Sequence, residues 1–253
     1  MSLHNYPYPS YSWAYQGVDF AYIPVTQQLA NAMYDDGIRI VGRYLYADRY
    51  PNGKGITADE IQYYLNAGIS IYFYYEVDSQ DALGGYQRGY DNGIDCLAEC
   101  TDLNVPQGTM IYCCCDTGVT DAQAAGVVMD YLEGFMDALP DYNVGIYGGL
   151  NVMNACYNSF PNLLRCEDGT LGPEEFSPIN VRQWAIARNL QAEHDGYLRI
   201  ANVTFDSVGF AQWRGYNIDL VSAPSTANMW GGGSPTPPGP DEAMPIWMYL
   251  KLF

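Results

Sequence analysis

Basic residues are scarce in this chain. It has 11 lysines and arginines against 29 aspartates and glutamates, with two histidines, and its formal net charge is −18. A surface this acidic repels nucleic-acid phosphates and anionic lipid headgroups, so we expect no nucleic-acid partner and no membrane partner. The charge also keeps a protein in solution, which is its simplest explanation.

Long apolar runs are also missing, and no stretch approaches the length of a membrane span. The first residues, MSLHNYPYPSYSWAYQ, show neither the basic region nor the apolar stretch of a signal peptide. The sequence therefore does not fix a location. A removed leader or another export route stays open.

The spacings that bind metals or form disulfide frameworks are absent. The two histidines are His4 and His194, and the seven cysteines are odd in number, irregularly spaced and contain no C-x-x-C pair. Zinc sites need such pairs, and disulfide scaffolds show even counts in shorter secreted chains. We therefore expect no metal and no cofactor.

Three adjacent cysteines stand in IYCCCDTG, residues 111–118. The neighbouring Ile and Tyr favour a strand, on which alternation sends Cys113 and Cys115 to one face and Cys114 to the other. Such residues are badly placed to share one metal, and free cysteine packs as a small hydrophobe. We predict buried, reduced thiols and assign the chemistry of this stretch to Asp116.

Strand-like and helix-like segments alternate over the first 160 residues. One helix opens with a capping-box pattern, Thr57 followed by Glu60. The later part has short strand-like runs at 181–187, 199–205, 210–213 and 217–223. This order predicts an α/β fold, a single distorted (β/α)8 TIM-type barrel whose helices are partly lost in the second half.

The barrel is expected to span 16–228, after an N-terminal extension at 1–15. Residues 229–243 are rich in Gly and Pro and predict a linker. The final ten residues, 244–253, are apolar and aromatic but too short to cross a bilayer. We expect them to dock on the domain itself, on another subunit or on a larger assembly.

Four acids fall at or near the ends of predicted strands, where β/α barrels place their chemistry. They are Asp19, Glu76, Asp116 and Asp219. Carboxylates inside apolar runs have readily shifted pKa values, and glycoside hydrolysis needs one protonated and one ionised carboxyl group. The structural alternative is that some of these acids cap loops or pair with Arg43 and Arg182.

Aromatic side chains on the predicted strands suit stacking against sugar rings. We predict substrate contacts from Tyr44, Tyr74, Tyr147, Trp184 and Trp213. Arg43 is expected to hold one of the carboxylates ionised and to contact substrate.

A series of motifs resembles a known family. In order, the motifs are GVDF, VGRYL, KGITADEI, AGISIYFYYE, GYQRGYDNGIDCLAEC, VPQGTMIYCCCD, VGIYGG, AQW and NIDL, within residues 16–223. Together they resemble the glycoside-hydrolase-like domain family related to the family 25 lysozymes. Those lysozymes cleave the glycan strands of peptidoglycan with acids at the strand ends of a β/α barrel.

The resemblance implies that the four acids line a cleft, with Gln212 of the AQW motif as a further substrate contact. One position departs from the pattern. Family 25 lysozymes carry Asp-x-Glu on the fourth strand, and this chain has Gly118 in place of the second acid. The hypothesis is therefore that Glu76 serves as acid/base and Asp116 as its ionised partner, while Asp19 and Asp219 position the substrate.

The predicted partner is bacterial cell-wall glycan, a polysaccharide or peptidoglycan. The alternatives are a non-catalytic carbohydrate-binding module and a structural module, either of them within a phage particle. The family occurs in actinobacteria and their phages, so the resemblance implies a wall-directed or phage-associated role.

Overall fold

The structure is a computed structural model that describes residues 15–45, 54–160, 163–167, 181–183, 200–206, 210–223 and 226–232. For 164–167 and 181–183 only the backbone is described. The predicted N-terminal extension up to residue 14, the linker beyond residue 232 and the C-terminal docking segment lie outside these residues.

Eleven strands and six helices make up the described part of the chain. The strands are β1 (Tyr15–Asp19), β2 (Ile40–Tyr44), β3 (Ser70–Tyr75), β4 (Met110–Cys115), β5 (Asn143–Gly148), β6 (Leu164–Glu167), β7 (Val181–Gln183), β8 (Val203–Phe205), β9 (Ala211–Trp213), β10 (Tyr216–Asn217) and β11 (Asp219–Ala223). The helices are α1 (Gln27–Asp35), α2 (Ala58–Ala67), α3 (Gly85–Asp102), α4 (Asp121–Gln123), α5 (Met129–Ala138) and α6 (Leu150–Ser159). A π-helical stretch, Ala124–Val128, joins α4 to α5.

Eight strands form a curled, mostly parallel sheet. Their order is β1-β11-β7-β6-β5-β4-β3-β2, and β1 also pairs with β2, so the ring of pairings closes. Strands β1 to β7 run parallel, whereas β11 is antiparallel to both of its neighbours. The described helices follow the first five strands.

The α/β class and the parallel-rich sheet are confirmed, but a complete (β/α)8 pattern is not present. Strand β11 follows β10 after a single residue, so no crossover helix stands between them and β11 is antiparallel to its neighbours. Residues 203–205, 211–213 and 217 fall in runs that were predicted as barrel strands. With Tyr216 they instead form a separate three-stranded antiparallel sheet, β8-β9-β10, whereas 219–223 of the last run is the barrel strand β11.

Two apolar layers hold the barrel together. The outer layer, between strands and helices, includes Val18, Cys113 and Cys115. The inner layer fills the barrel and includes Tyr72, Tyr112 and Cys114. The predicted alternation of the three cysteines is therefore confirmed, and all three side chains are buried.

The predicted cap of α2 is present in part. The Thr57 side chain accepts a hydrogen bond from the Glu60 backbone N–H, at 3.2 Å. The Glu60 carboxylate binds Arg43, at 2.6 Å, rather than turning back to the cap. Glu60, expected to complete the cap, thus forms an ion pair with the buried Arg43 instead.

The chain stays part of the barrel beyond residue 228, where we predicted the linker to begin. Met229 is buried in the inner layer, and Trp230 exchanges two backbone hydrogen bonds of 2.8 Å with Ile71. These residues close the barrel at the amino-terminal ends of β3 and β4.

Candidate active site at the barrel rim

The acids predicted from the sequence meet at the carboxyl-terminal ends of the parallel strands, here called the rim. Asp19 is the last residue of β1 and pairs in register with Asp219, the first residue of antiparallel β11. Glu76 and Asp116 directly follow β3 and β4. All four continue the series of positions that alternation turns toward the barrel interior.

Asp19 is buried and hydrogen-bonded from below. The Tyr74 hydroxyl donates to Asp19 Oδ2 at 3.2 Å, and the Tyr72 and Tyr74 hydroxyls are 3.0 Å apart. Gly42 makes this packing possible, because a Cβ there would lie 2.5 Å from the Tyr72 hydroxyl. Asp19 is therefore fixed by a column of tyrosines that fills the barrel.

Glu76 carries a lysine partner that the sequence analysis missed. Lys54 Nζ lies 2.5 Å from Glu76 Oε2 and 4.1 Å from the centre of the Tyr44 ring. The Glu76 side chain is 9% exposed and the Lys54 side chain 25%, so the ion pair is largely buried. The sequence did offer a sign of this role, because Lys54 is one of few basic residues in an acidic chain and lies three residues before the helix cap Thr57.

Asp219 has the opposite environment. Burial raises the pKa of Asp219 to about 6, and the nearby Asp116 carboxylate contributes to the rise. Asp116 itself is exposed at the rim. A carboxyl group whose pKa is raised to about 6 beside a second carboxylate is a suitable proton donor for acid/base catalysis.

Tyr44 lies among the acids. Burial raises the pKa of Tyr44 well above its ordinary value, and Asp19, Glu76 and Asp116 add to the effect by charge repulsion. The Tyr44 and Tyr74 ring centres are 5.4 Å apart, and Tyr74 lies 5.3 Å from Tyr147. Tyr44 and Tyr147 are half-buried at the rim, whereas Tyr74 is enclosed beneath them.

A cavity of about 530 Å³ opens beside Asp116. It is lined by Asp116, Thr117, Gly118, Val119, Asp121, Gly149, Leu150, Asn151 and Asn154. These residues belong to the connection that follows β4 and to the start of α6 after β5. The sequence analysis did not identify the asparagines, because isolated amides on a short helix carry no motif.

Arg43 lies on the other face of β2 from Tyr44. Its guanidinium group binds Glu60 at 2.6 Å and the Phe20 carbonyl at 2.7 Å, and the residue is 1% exposed. Its positive charge is therefore paired with Glu60 and not with an acid of the rim. The expectation that Arg43 contacts substrate does not fit this burial, which follows from alternation along the strand.

Gln212 and Trp213 are also separated from the rim. Both lie on β9 of the small sheet, where Gln212 donates to Asn217 at 3.0 Å. Trp213 is buried in the outer layer and donates from its indole N–H to Asp36 at 2.9 Å. Trp184 and the Arg182 side chain lie outside the described part of the structure.

The described residues contain no group of three or more His, Cys, Asp or Glu side chains placed to hold a metal ion. Six cysteines are free and buried. Within the same residues, no helix has the length and hydropathy needed to cross a membrane. The described part of the rim offers carboxylates, phenols, amides and the ammonium group of Lys54 as its chemical groups.

The barrel with acids at its rim is similar in fold to solved structures. The Tat-secreted protein Rv2525c of Mycobacterium tuberculosis, in complex with HEPES, matches with a TM-score of 0.62 and 17% identity, covering 82% of this chain and 94% of that one. An uncharacterized B. stearothermophilus protein matches with a TM-score of 0.55 and 18% identity, covering 83% of this chain and 95% of that one. GHIP, a glycosyl hydrolase 25 of Streptococcus pneumoniae, matches with a TM-score of 0.47 and 13% identity, covering 83% of this chain and 87% of that one.

The family follows from the sequence profile. The profile described as Rv2525c-like, glycoside hydrolase-like domain matches residues 31–216, which is more than half of the chain. The chain therefore belongs to that family, and the resemblance drawn from the motifs is confirmed. No curated protein matches the chain.

Proposed function

We propose that this protein is a glycoside hydrolase that acts on bacterial cell-wall glycan through the carboxyl groups of the rim. The observation that supports the proposal is the placement of an exposed acid, Asp116, beside a half-buried acid, Asp219, whose pKa is raised to about 6. Membership of a glycoside-hydrolase-like family agrees with this chemistry. The proposal also treats the fold as a TIM-type barrel with a reversed last strand.

Asp116 is the ionised partner in this proposal, as the sequence predicted. Glu76 and Asp219 are the two candidates for the acid/base. Asp219 holds a proton more readily, because its pKa is about 6. Glu76 would first have to lose its contact with Lys54, because the lysine Nζ occupies its Oε2 atom and stands where a substrate oxygen would have to lie. Asp19, fixed by Tyr74, positions the substrate.

The test is release of reducing ends from purified peptidoglycan by the native chain and by Glu76→Gln, Asp116→Asn and Asp219→Asn. Loss of general acid/base catalysis lowers rates by about 10²–10⁴-fold. We expect such a loss for Asp116→Asn and Asp219→Asn, and a smaller loss for Glu76→Gln. The reverse order would assign the proton to Glu76.

The control is Asp130→Asn, an exposed acid on the outer helix α5, which should keep native activity. Circular dichroism of each variant separates lost chemistry from lost folding. Activity that survives in all three rim variants would contradict the hydrolase proposal.

A non-catalytic glycan-binding module is the second candidate. Two observations favour it, namely Gly118 in place of the second acid and the lysine on Glu76. It predicts saturable binding to cell walls without new reducing ends. The release assay separates this module from the hydrolase. A pull-down with cell walls on the same preparation separates it from a purely structural module of a larger assembly, which would not bind.

A further inference from the structure

Three large apolar side chains on α3 are exposed, and together they are here called the α3 stripe. They are Tyr86, Tyr90 and Ile94, with exposed fractions of 42%, 37% and 45%. Their spacing of four residues places them on one side of the helix, over about 12 Å. Neighbouring exposed apolar side chains are typical of surfaces that contact other molecules, whereas scattered ones are not.

The helix that carries the stripe is held rigidly against α5. A Cβ on Gly93 would lie 2.5 Å from the Ala138 Cβ, and one on Gly134 would lie 2.8 Å from the Tyr90 backbone nitrogen. Packing this close leaves the two helices little freedom to shift. The stripe is therefore a preformed surface, and binding to it costs little ordering of the backbone.

The two tyrosine rings have a defined arrangement beside the acids of α5. Their centres are 6.4 Å apart and their planes differ by 15°, so the rings are stacked. The Tyr86 hydroxyl donates to Asp137 Oδ2 at 2.8 Å. This hydrogen bond raises the pKa of Tyr86, and the charge of nearby Glu133 adds to the rise. One edge of the stripe is therefore lined by carboxylates.

The charge around the stripe restricts its partner. Between residues 55 and 164 the sequence has a single basic residue, Arg88, and its guanidinium group binds Asp81 at 2.6 Å. The exposed acids of α3 and α5 are Asp91, Asp102, Asp130, Glu133 and Asp137. This charge disfavours an anionic membrane and a second copy of the acidic chain. Basic side chains would instead find carboxylates and the faces of two tyrosine rings.

We propose that the α3 stripe binds a partner protein through a basic amphipathic helix. The length of the stripe matches about two turns of such a helix, whose apolar side packs on Ile94 and the tyrosine rings. Its lysines and arginines then lie beside Asp137, Glu133 and Asp91 or over the ring faces. None of the rim acids belongs to the stripe, so the inference does not depend on the proposed hydrolase.

The experiment measures binding of three labelled peptides to the complete chain by fluorescence anisotropy, at about 150 mM salt to screen long-range attraction. The basic amphipathic probe is KLAKLAKKLAKLAK, the acidic probe is ELAELAEELAELAE, and the basic probe without leucines is KSAKSAKKSAKSAK. We expect the native chain to bind the first probe at least about tenfold more tightly than either of the others.

Two double variants test the two kinds of contact. Tyr86→Ser/Tyr90→Ser removes the apolar surface and should weaken binding of the basic amphipathic probe by about tenfold or more. Glu133→Gln/Asp137→Asn keeps both rings and should weaken it by about threefold or more, the effect of lost surface ion pairs. Tyr157→Ser, at an exposed tyrosine of α6, is the matched control and should bind as the native chain does. Circular dichroism checks that each variant is folded.

Native affinity in Tyr86→Ser/Tyr90→Ser, or equal affinity for the probe without leucines, would overturn the inference. Such a result would leave only the general attraction between a basic peptide and an acidic protein. Self-association of the native chain that Tyr86→Ser/Tyr90→Ser abolishes would assign the stripe to a second copy instead. Binding of the basic amphipathic probe only after Trp247→Ser would assign it to residues 244–253 of the chain itself, and either result would overturn the proposal.

Discussion

At the scale of the residue, alternation along a strand decides which side chains reach the site. Tyr44 and Arg43 are neighbours on β2, yet Tyr44 faces the rim acids and Arg43 binds Glu60 in the outer layer. The same rule separates Cys114 from Cys113 and Cys115. These side chains were candidates because of their residue types, and the two-residue repeat of a strand decides which of them face the barrel interior.

The pH dependence of stability follows from Asp219. Its pKa is about 6 in the folded protein and near 4 in the unfolded chain, so the folded state binds the extra proton between these values. Stability therefore falls as pH rises from about 4 to 6 and stays reduced above that. We expect Asp219→Asn to be more stable than the native chain at pH 7, by up to about 3 kcal/mol.

Urea unfolding at pH 4, 5, 6 and 7 measures this difference. The gain of Asp219→Asn should fall to about 0.5 kcal/mol near pH 4, where the carboxyl group is protonated in the folded state and about half protonated in the unfolded state. Asp130→Asn serves as the exposed control with no such trend. A gain that does not change with pH would contradict the assignment.

The positions of the four rim acids could be predicted from the sequence, and parts of the fold around them could not. The four acids were predictable because each one interrupts an apolar strand, which is costly without a purpose. Lys54 and Asn154 were not, since their roles depend on chain segments that pack together only in three dimensions. Strand β6 was missed because its four residues, Leu164–Glu167, include no β-branched or aromatic residue and their alternation is too short to stand out.

At the scale of the element, glycines set how closely α3 and α5 pack. A Cβ on Gly89 would lie 1.9 Å from the Tyr131 carbonyl oxygen, and one on Gly134 would lie 2.1 Å from that of Tyr86. The two helices thus touch backbone to backbone. Any larger residue must push them apart and loosen the outer layer beneath them.

We therefore expect Gly89→Ala and Gly134→Ala each to lower the free energy of unfolding by about 1–3 kcal/mol. Gly126→Ala is the matched control, because its Cβ meets no atom within 4 Å and alanine favours helix by up to about 1 kcal/mol. Urea unfolding monitored by circular dichroism compares the three. Equal free energies of unfolding for all three variants would show that α3 and α5 can move apart without loss of stability, which would contradict this prediction.

At the scale of the whole molecule, one aspartate joins the small sheet to the barrel. Asp36 lies between α1 and β2 and accepts from Trp213 at 2.9 Å, Arg214 at 2.7 Å and Asn202 at 2.9 Å. Burial acts to raise the pKa of Asp36, but these hydrogen bonds outweigh it and lower the pKa below its ordinary value. The small sheet was not predictable as a separate unit, because its strands have the same pattern as barrel strands.

We expect Asp36→Ala to lower the free energy of unfolding by about 2–4 kcal/mol, since it leaves the buried Trp213 N–H without an acceptor. Asp35→Ala, at the exposed neighbouring position, should change little. Because the folded pKa of Asp36 is lowered, its contribution is present above about pH 4 and is lost as pH falls further. The lost acceptor of Trp213 keeps part of the difference at any pH. A difference between the two variants that does not shrink between pH 7 and pH 2.5 would contradict the ionic part of this account.

The reversed strand β11 also determines how the chain must be made. It covers the open edges of β1 and β7, which are far apart in sequence, and it is among the last parts of the domain to leave the ribosome. Until it arrives, two strand edges can pair with other chains. Closure of the barrel is therefore a late event that joins residues far apart in sequence. A polypeptide chain truncated before Asp219 is expected to give an aggregation-prone open sheet rather than a smaller barrel.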